Sequence, residues 1–196
     1  MFHPIPPPVR QRMEFLEAQD RRDRSDDMPH ALRLRQIPPE TGRLLALLAS
    51  SAPQGALLEI GTSGGYSSLW LSLACRQSQR RLTTFELSPA KASLAAETFR
   101  LAQVEPWIEL VNANALERLA DYPQVAFCFL DTEKSLYQAC FELVSPRLVP
   151  GGWLVADNVT SHAAELQPFI DRTLQDEHLD STVVLIGKGL LVCRKI

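Results

Sequence analysis

Three polar residues that could bind a cation follow two apolar stretches in the second half of the chain. Asp131 follows one stretch, and the pair Asp157-Asn158 follows the next. Two carboxylates and an amide carbonyl form a set of hard oxygen donors, which suits Mg²⁺ or Ca²⁺ better than Zn²⁺. Simpler interpretations stay open, because Asp-Asn pairs also form turns and Asp131 can also cap a following helix.

A glycine-rich segment in the first half of the chain is typical of a nucleotide site. A dinucleotide fingerprint needs glycine at the first, third and sixth positions of the turn, but counting from Gly61 the third position is Ser63 and the sixth is Tyr66. A hydride-transferring dehydrogenase is therefore disfavoured. Glu59 lies two residues before the first glycine, and Glu86 ends the next apolar stretch, where an acid can accept both hydroxyls of a ribose.

Alternating strands and helices must position these groups. Strands are predicted at residues 57–60, 82–86, 108–111, 125–130 and 153–156, with helices beginning at Tyr66, Pro89, Ala115 and Glu133 between them. Apolar strands of this kind belong to a parallel sheet covered on both faces. After a helix at about residues 163–175, two apolar runs at 182–186 and 190–193 flank Gly187-Lys188-Gly189 and predict an antiparallel hairpin. The predicted fold class is α/β, mostly parallel, with helices on both faces.

The N-terminal part is predicted to be helical as well. Val9, Met13 and Leu16 fall at helical spacing within a charged segment that runs to Arg24, and residues 26–29 are expected to break that helix. A second helix begins at Pro38 and is expected to turn four leucines toward the core, namely Leu44, Leu45, Leu47 and Leu48. The first helix can cover a site or form a dimer contact, so a homodimer is possible.

The glycine loop and the acids Glu59 and Glu86 resemble those of class I S-adenosylmethionine (SAM) dependent methyltransferases. The set Asp131, Asp157 and Asn158, with Lys134 three residues after the first acid, narrows the resemblance to the catechol and caffeoyl-coenzyme A O-methyltransferases. It implies a Rossmann-like, seven-stranded methyltransferase sheet in residues 36–196, preceded by a helical extension in residues 1–35. It also implies a divalent cation, Mg²⁺ or Ca²⁺, on the three ligands.

The same resemblance implies that Lys134 is the catalytic base, which deprotonates a small catechol-like or phenolic acceptor that receives the methyl group. The residues implied to contact SAM are Ile37, Glu59, Gly61, Ser63, Gly65, Tyr66, Ser67, Glu86, Leu87, Asn114, Ala115, Asp131 and Thr132. Residues 159–163 between Asn158 and the last helix form a shorter segment than in plant and animal relatives, so those relatives do not identify the acceptor.

Other functions remain open from the sequence. A metal-independent small-molecule methyltransferase would use Lys134 or His162 directly, although a histidine at this position is more often a surface or capping residue. A noncatalytic SAM-binding module would keep the Gly61 loop alone. A nucleic-acid base N-methyltransferase would carry Asn/Asp-Pro-Pro-Tyr/Phe after the fourth strand, and Asp131-Thr132-Glu133 does not match that motif.

Length, charge and cysteine content limit the partners and the cellular compartment expected for the protein. The 196 residues are enough for one α/β domain, and a net charge of −3 with both signs interspersed predicts neither nucleic acid nor an anionic membrane as partner. Four cysteines in apolar stretches have no metal-ligand spacing and are expected to be buried thiols. No apolar run reaches the length of a membrane span and the first residues lack the apolar core of a signal peptide, so we expect a cytoplasmic protein.

Overall fold

Helices and strands alternate along the part of the chain that the computed structural model describes, residues 5–25 and 33–196. The helices are α1 (Pro7–Ser25), α2 (Pro39–Ser51), α3 (Tyr66–Ser78), α4 (Pro89–Ala102), α5 (Ala115–Arg118), α6 (Tyr137–Val144) and α7 (Ala163–Leu174). The strands are β1 (Ala56–Ile60), β2 (Leu82–Phe85), β3 (Ile108–Val111), β4 (Val125–Leu130), β5 (Leu148–Ala156), β6 (Leu179–Val184) and β7 (Leu190–Lys195). The predicted helix break at residues 26–29 lies outside the described residues.

The seven strands form one sheet in the order β3-β2-β1-β4-β5-β7-β6. The first five strands run parallel to one another, whereas β7 runs antiparallel to both β5 and β6. The direction of winding reverses between β1 and β4, which is where open α/β sheets bind ligands. The predicted fold class is confirmed, including the C-terminal hairpin.

Alternate strand residues supply two separate cores, one on each face of the sheet. Leu57 and Phe127 point to the face covered by α1 to α4, while Leu58 and Cys128 point to the face covered by α5 to α7. This alternation follows from the two-residue period of a strand. Because both faces are covered, the strands can be apolar throughout, and all six residues of β4 are buried.

Helix α1 packs into the first of these cores. Val9, Met13 and Leu16 are at most 3% exposed and belong to the same cluster as residues of α3 and α4. The Arg12 guanidinium donates two hydrogen bonds to the Thr98 hydroxyl of α4, at 3.1 and 3.0 Å. The predicted N-terminal extension is thus in contact with the core of the predicted methyltransferase domain.

Several boundaries differ from the sequence prediction. Leu47 is 50% exposed, so the expectation that all four leucines of α2 face the core was wrong. Strand β5 begins at Leu148 rather than at residue 153. The helix predicted from Glu133 begins as a 3-10 turn, Lys134–Leu136, and becomes α-helical only at Tyr137.

Two expectations from composition hold in the described part of the chain. All four cysteines are free thiols and are buried. None of the described helices is long and apolar enough to cross a membrane.

Candidate active site

A cavity of about 670 Å³ opens at the carboxyl ends of the parallel strands. Its walls come from the segment before α2, the loops after β1, β2, β3, β4 and β5, and the loop between β6 and β7. This is the edge of the sheet at which the sequence predicted the site. The volume lies within the range usual for sites of small molecules and cofactors.

Glu86 organises the side of the cavity formed by the glycine loop. Its Oε2 accepts a hydrogen bond from the Ser63 backbone N–H at 2.8 Å, and its Oε1 accepts one from Ser88 N–H at 2.9 Å. The residue is 9% exposed and lines the cavity. Each carboxylate oxygen can accept a second hydrogen bond, so Glu86 has one site left on each oxygen for a pair of ribose hydroxyls.

Gly61 is required by the packing of the protein itself. Its φ is +102°, and a Cβ at this position would lie 1.9 Å from the carbonyl oxygen of Asp131. Only glycine combines that backbone conformation with so close an approach. The sequence indicated a nucleotide site at this glycine-rich segment, but the close neighbour of Gly61 is the end of β4. The loop after β1 therefore lies directly against the backbone of a candidate metal ligand.

Glu59 lies beneath the loop and does not line the cavity. It is buried, accepts hydrogen bonds from the hydroxyls of Ser68 and Thr84, the latter at 2.7 Å, and leaves Oε1 without a partner. Burial is the main cause that raises the pKa of Glu59 to about 7, and the hydroxyl donors oppose it. The Thr84 hydroxyl also bonds that of Thr62 at 2.6 Å, so Glu59 supports the loop from below.

The loops after β2 and β3 form a further part of the wall. Leu87, Asn114 and Ala115, which the sequence predicted to contact SAM, all line the cavity. The Asn114 side chain also caps α5, since its Oδ1 accepts from Leu116 N–H at 3.1 Å. Leu87 is 68% exposed, so it offers a large apolar surface to a flat ring next to Glu86.

The three candidate cation ligands converge as predicted. The Asn158 amide nitrogen lies 2.8 Å from Asp131 Oδ1 and 3.2 Å from Asp157 Oδ2. Asn158 has φ +66°, a left-handed conformation that asparagine tolerates. Burial and the nearby negative charge of Asp131 raise the pKa of Asp157 to about 7.

Lys134 lies against this set. Its Nζ donates to the Thr132 carbonyl at 3.0 Å, to the Tyr137 hydroxyl at 2.9 Å and, over a longer 3.4 Å, to Asp131 Oδ1. The Tyr137 hydroxyl in turn donates to the Asp157 backbone carbonyl at 3.1 Å. Lys134 is only 12% exposed, so it is no ordinary solvated lysine but a fixed part of the site.

The chemistry of this set fits a hard divalent cation. Asp157 Oδ1 is buried and has no hydrogen-bond partner in the described structure, and two carboxylates lie on either side of one amide. An asparagine amide can present its carbonyl oxygen as well as its nitrogen. Across residues 5–25 and 33–196 no three His, Cys, Asp or Glu side chains cluster as metal ligands, so a cation would need the Asn158 oxygen as third protein ligand.

Most of the predicted site residues line the one cavity. They are Ile37, Gly61, Ser63, Tyr66, Ser67, Glu86, Leu87, Asn114, Ala115, Asp131, Thr132, Lys134 and Asn158. Glu59, Gly65 and Asp157 do not line it: Glu59 and Asp157 are 0% exposed, and the α-carbon of Gly65 faces the Phe99 ring. His162, at the N-cap position of α7 with no capping hydrogen bond from its ring, also lines the cavity.

Sequence reasoning missed several cationic residues of the cavity. Arg35 forms a 3.0 Å ion pair with Glu133, and Lys91 and Lys188 lie elsewhere in the wall. No local motif marks these residues. For Lys188 the available signal was its position between two glycines at the hairpin turn, which places it next to the end of β5 once the strand order is known.

The sheet order, the glycine loop and the strand-end acid together define a class I methyltransferase. A family model described as a methyltransferase domain matches residues 58–159. A catechol O-methyltransferase of Mycobacterium tuberculosis is 32% identical over 158 residues, which cover 74% of this chain and 71% of that protein. A catechol O-methyltransferase of Niastella koreensis is 29% identical over 128 residues, which are 63% of this chain but only 58% of that protein.

Solved structures agree with this assignment. The O-methyltransferase TomG from Streptomyces achromogenes, solved in complex with SAM, aligns with a TM-score of 0.76 and 26% identity over 92% of this chain and 88% of that one. An O-methyltransferase from Bacillus cereus in complex with S-adenosylhomocysteine (SAH) has a TM-score of 0.76 and 21% identity, covering 100% and 94%, and shows the same fold. The chain belongs to the SAM-dependent O-methyltransferase family, in agreement with the resemblance seen in its sequence.

Proposed function

We propose that this protein transfers a methyl group from SAM to a hydroxyl of a small catechol-like or phenolic acceptor, with a divalent cation held by Asp131, Asp157 and Asn158. The observation that carries the proposal is that a single cavity joins the Gly61 loop and Glu86 to Asp131, Asn158 and Lys134. The catechol O-methyltransferases among the relatives support the acceptor class.

The first task of the protein is to hold the methyl donor in one orientation. SAM supplies a methyl group on a positively charged sulfur. Glu86 would accept the two ribose hydroxyls on its free lone pairs, and the Ser63 and Ser88 N–H groups that it already binds fix its direction. Alignment of the acceptor oxygen, the methyl carbon and the sulfur is the main source of rate acceleration expected here.

The second task is to make the acceptor oxygen nucleophilic. A bound divalent cation would lower the pKa of the acceptor hydroxyl and fix its direction. Lys134 would take the proton onto Nζ as the oxygen–methyl bond forms and the sulfur–methyl bond breaks, which leaves a neutral thioether. To act as a base, Lys134 must be neutral and free a lone pair. Its longest contact, to Asp131 at 3.4 Å, is the one expected to break.

The reaction is tested by incubating the protein with SAM and catechol and detecting the methylated product by mass spectrometry. The same assay with excess chelator tests the cation, and we expect chelation to abolish transfer while calorimetry shows that SAH still binds. Full activity in excess chelator would contradict the requirement for a cation and favour a metal-independent methyltransferase. The direct contact between Lys134 and Asp131 is compatible with that function as well. SAH binding without turnover on any hydroxyl acceptor would indicate a noncatalytic binding module.

A further inference from the structure

The loop between β6 and β7 forms part of the cavity wall and carries a single cation, Lys188. The Lys188 carbonyl accepts hydrogen bonds from Thr160 N–H at 3.1 Å, Ser161 N–H at 3.2 Å and the Thr160 hydroxyl at 2.6 Å. These bonds tie the hairpin loop to the segment that follows Asn158. Lys188 is thereby held beside the candidate cation ligands rather than on a free surface loop.

The backbone around Lys188 is fixed as well. Gly189 has φ +83°, and a Cβ there would lie 2.4 Å from Thr160 Cγ2. Its N–H donates to the Ile186 carbonyl at 2.9 Å, and its carbonyl accepts from Val159 N–H at 3.1 Å. The loop therefore packs tightly on the end of β5, so the direction in which Lys188 leaves the backbone is set.

The charge of Lys188 acts on Asp157 from a distance: burial and the charge of Asp131 raise the pKa of that carboxyl, and the charge of Lys188 opposes them. The Lys188 Nζ makes no hydrogen bond or ion pair within the described residues, although the residue is half-buried and lines the cavity. Lys134, by contrast, has three acceptors. Asp131, which lines the same cavity, already contacts both Lys134 and the Asn158 amide. A partly desolvated ammonium without a direct hydrogen-bond partner can bind an anionic group on whatever fills the cavity.

We propose that Lys188 is a specificity-determining residue that selects acceptors carrying a carboxylate in addition to the hydroxyl that is methylated. The proposal rests on the proposed function, because the acceptor must lie between Lys134 and the hairpin loop. The carboxylate would pair with Lys188 while the hydroxyl faces Asp131 and Lys134. His162 also lines this cavity, and a volume of about 670 Å³ is large enough to hold an aromatic ring.

The test compares two probes that differ only in charge, 3,4-dihydroxybenzoate and 3,4-dihydroxybenzamide. Binding of each to protein loaded with SAH is measured by calorimetry in magnesium buffer. We expect the wild type to bind the benzoate about tenfold more tightly, the ratio that a charge-assisted hydrogen bond of about 1.4 kcal/mol produces. Lys188→Gln should remove that ratio, and Lys188→Arg should keep it.

Lys195→Gln is the matched control, because it removes the same charge from β7 at the end remote from the cavity. It should keep the wild-type ratio. The proposal is overturned if the wild type binds both probes equally or binds neither, if Lys188→Gln keeps the ratio, or if it weakens both probes alike. Since the readout is binding, the two failures are distinguishable: a preference carried by Lys188 without methyl transfer would contradict the proposed function and leave Lys188 as a site for binding a carboxylate, whereas methyl transfer without that preference would contradict only this inference.

Discussion

Replacing the buried acid Glu59 by glutamine should make the protein more stable at neutral pH. Glu59 is buried beneath the loop that follows β1, with one carboxylate oxygen unpartnered. Glutamine has the same shape and can accept the hydrogen bonds of Ser68 and Thr84 through its carbonyl oxygen. The substitution therefore imitates the protonated acid and removes its titration.

The magnitude follows from the difference between the two pKa values. Burial raises the pKa of Glu59 from the ordinary 4.5 to about 7, so the folded protein holds a proton in a pH window where the unfolded chain has lost it. The stability from this proton is present below pH 4.5 and is lost as the pH rises through 7. At 1.36 kcal/mol per unit, the free energy of unfolding falls by roughly 3 kcal/mol across that window.

Urea unfolding of the wild type and of Glu59→Gln at pH 5 and pH 8 measures this effect. The two proteins should be nearly equal in stability at pH 5, and the variant should be more stable by roughly 3 kcal/mol at pH 8. Asp157, whose pKa is also raised to about 7, titrates in both proteins and cancels in the difference. A difference that does not change between the two pH values would refute the reasoning.

Substitutions at two further residues, Lys134 and Glu86, test the candidate site. Lys134→Met should lower kcat by about 10²–10⁴-fold with little change in the Kd for SAH. Lys134→Arg should not restore activity, because a guanidinium stays protonated and cannot accept the proton. A fully active Arg variant would show that Lys134 has a purely electrostatic role. Glu86→Ala should weaken SAH binding by at least about tenfold in calorimetry, since each unpaired buried hydroxyl costs roughly 1–3 kcal/mol. An SAH analogue without ribose hydroxyls should bind the wild type and Glu86→Ala with similar affinity. An equal loss for that analogue would show that Glu86 acts only by holding Ser63 and Ser88.

The fold was predictable where the local sequence pattern and the long-range packing indicate the same structure. In β5 they indicate different structures. Residues 150–152 are Pro-Gly-Gly, a sequence that predicts a turn. In the structure the register of β4 and β5 moves from Val125↔Leu148 to Phe127↔Trp153, so these residues bulge out within one strand. Only the pairing with β4 on the neighbouring side distinguishes such a bulge from a turn that ends the strand.

Helix α2 shows a different reason for error. Its leucines were expected to mark the core face, but Leu47 is exposed and Gly42 is buried against Trp70, where a Cβ would lie 2.2 Å from the indole ring. Small residues allow α2 and α3 to approach closely, and the contact face is centred on them. A prediction from hydrophobic pattern relies on large apolar side chains. It therefore misses a close helix contact that forms because glycine has no side chain.

The candidate site was predictable to the extent that it depends on strand ends. Asp131, Asp157 and Asn158 follow neighbouring parallel strands, whose carboxyl ends meet at one edge whatever the details of packing. Lys188 could not be placed in this way, because its position depends on β7 pairing with β5, a long-range contact that the hairpin alone does not specify. Residues of this second kind form the part of the wall that would recognise an acceptor.

Gly61 joins the two halves of the site more closely than the sequence indicates. Its N–H donates to the Phe85 carbonyl at 3.0 Å, one residue before Glu86, and its α-carbon lies against the Asp131 carbonyl. The Asp131 N–H in turn donates to the Ile60 carbonyl at 3.0 Å. A side chain at this position would force the glycine loop and the end of β4 apart. Gly61 therefore sets the distance between the groups proposed to hold the methyl donor and those proposed to activate the acceptor, which is the distance that in-line transfer must satisfy.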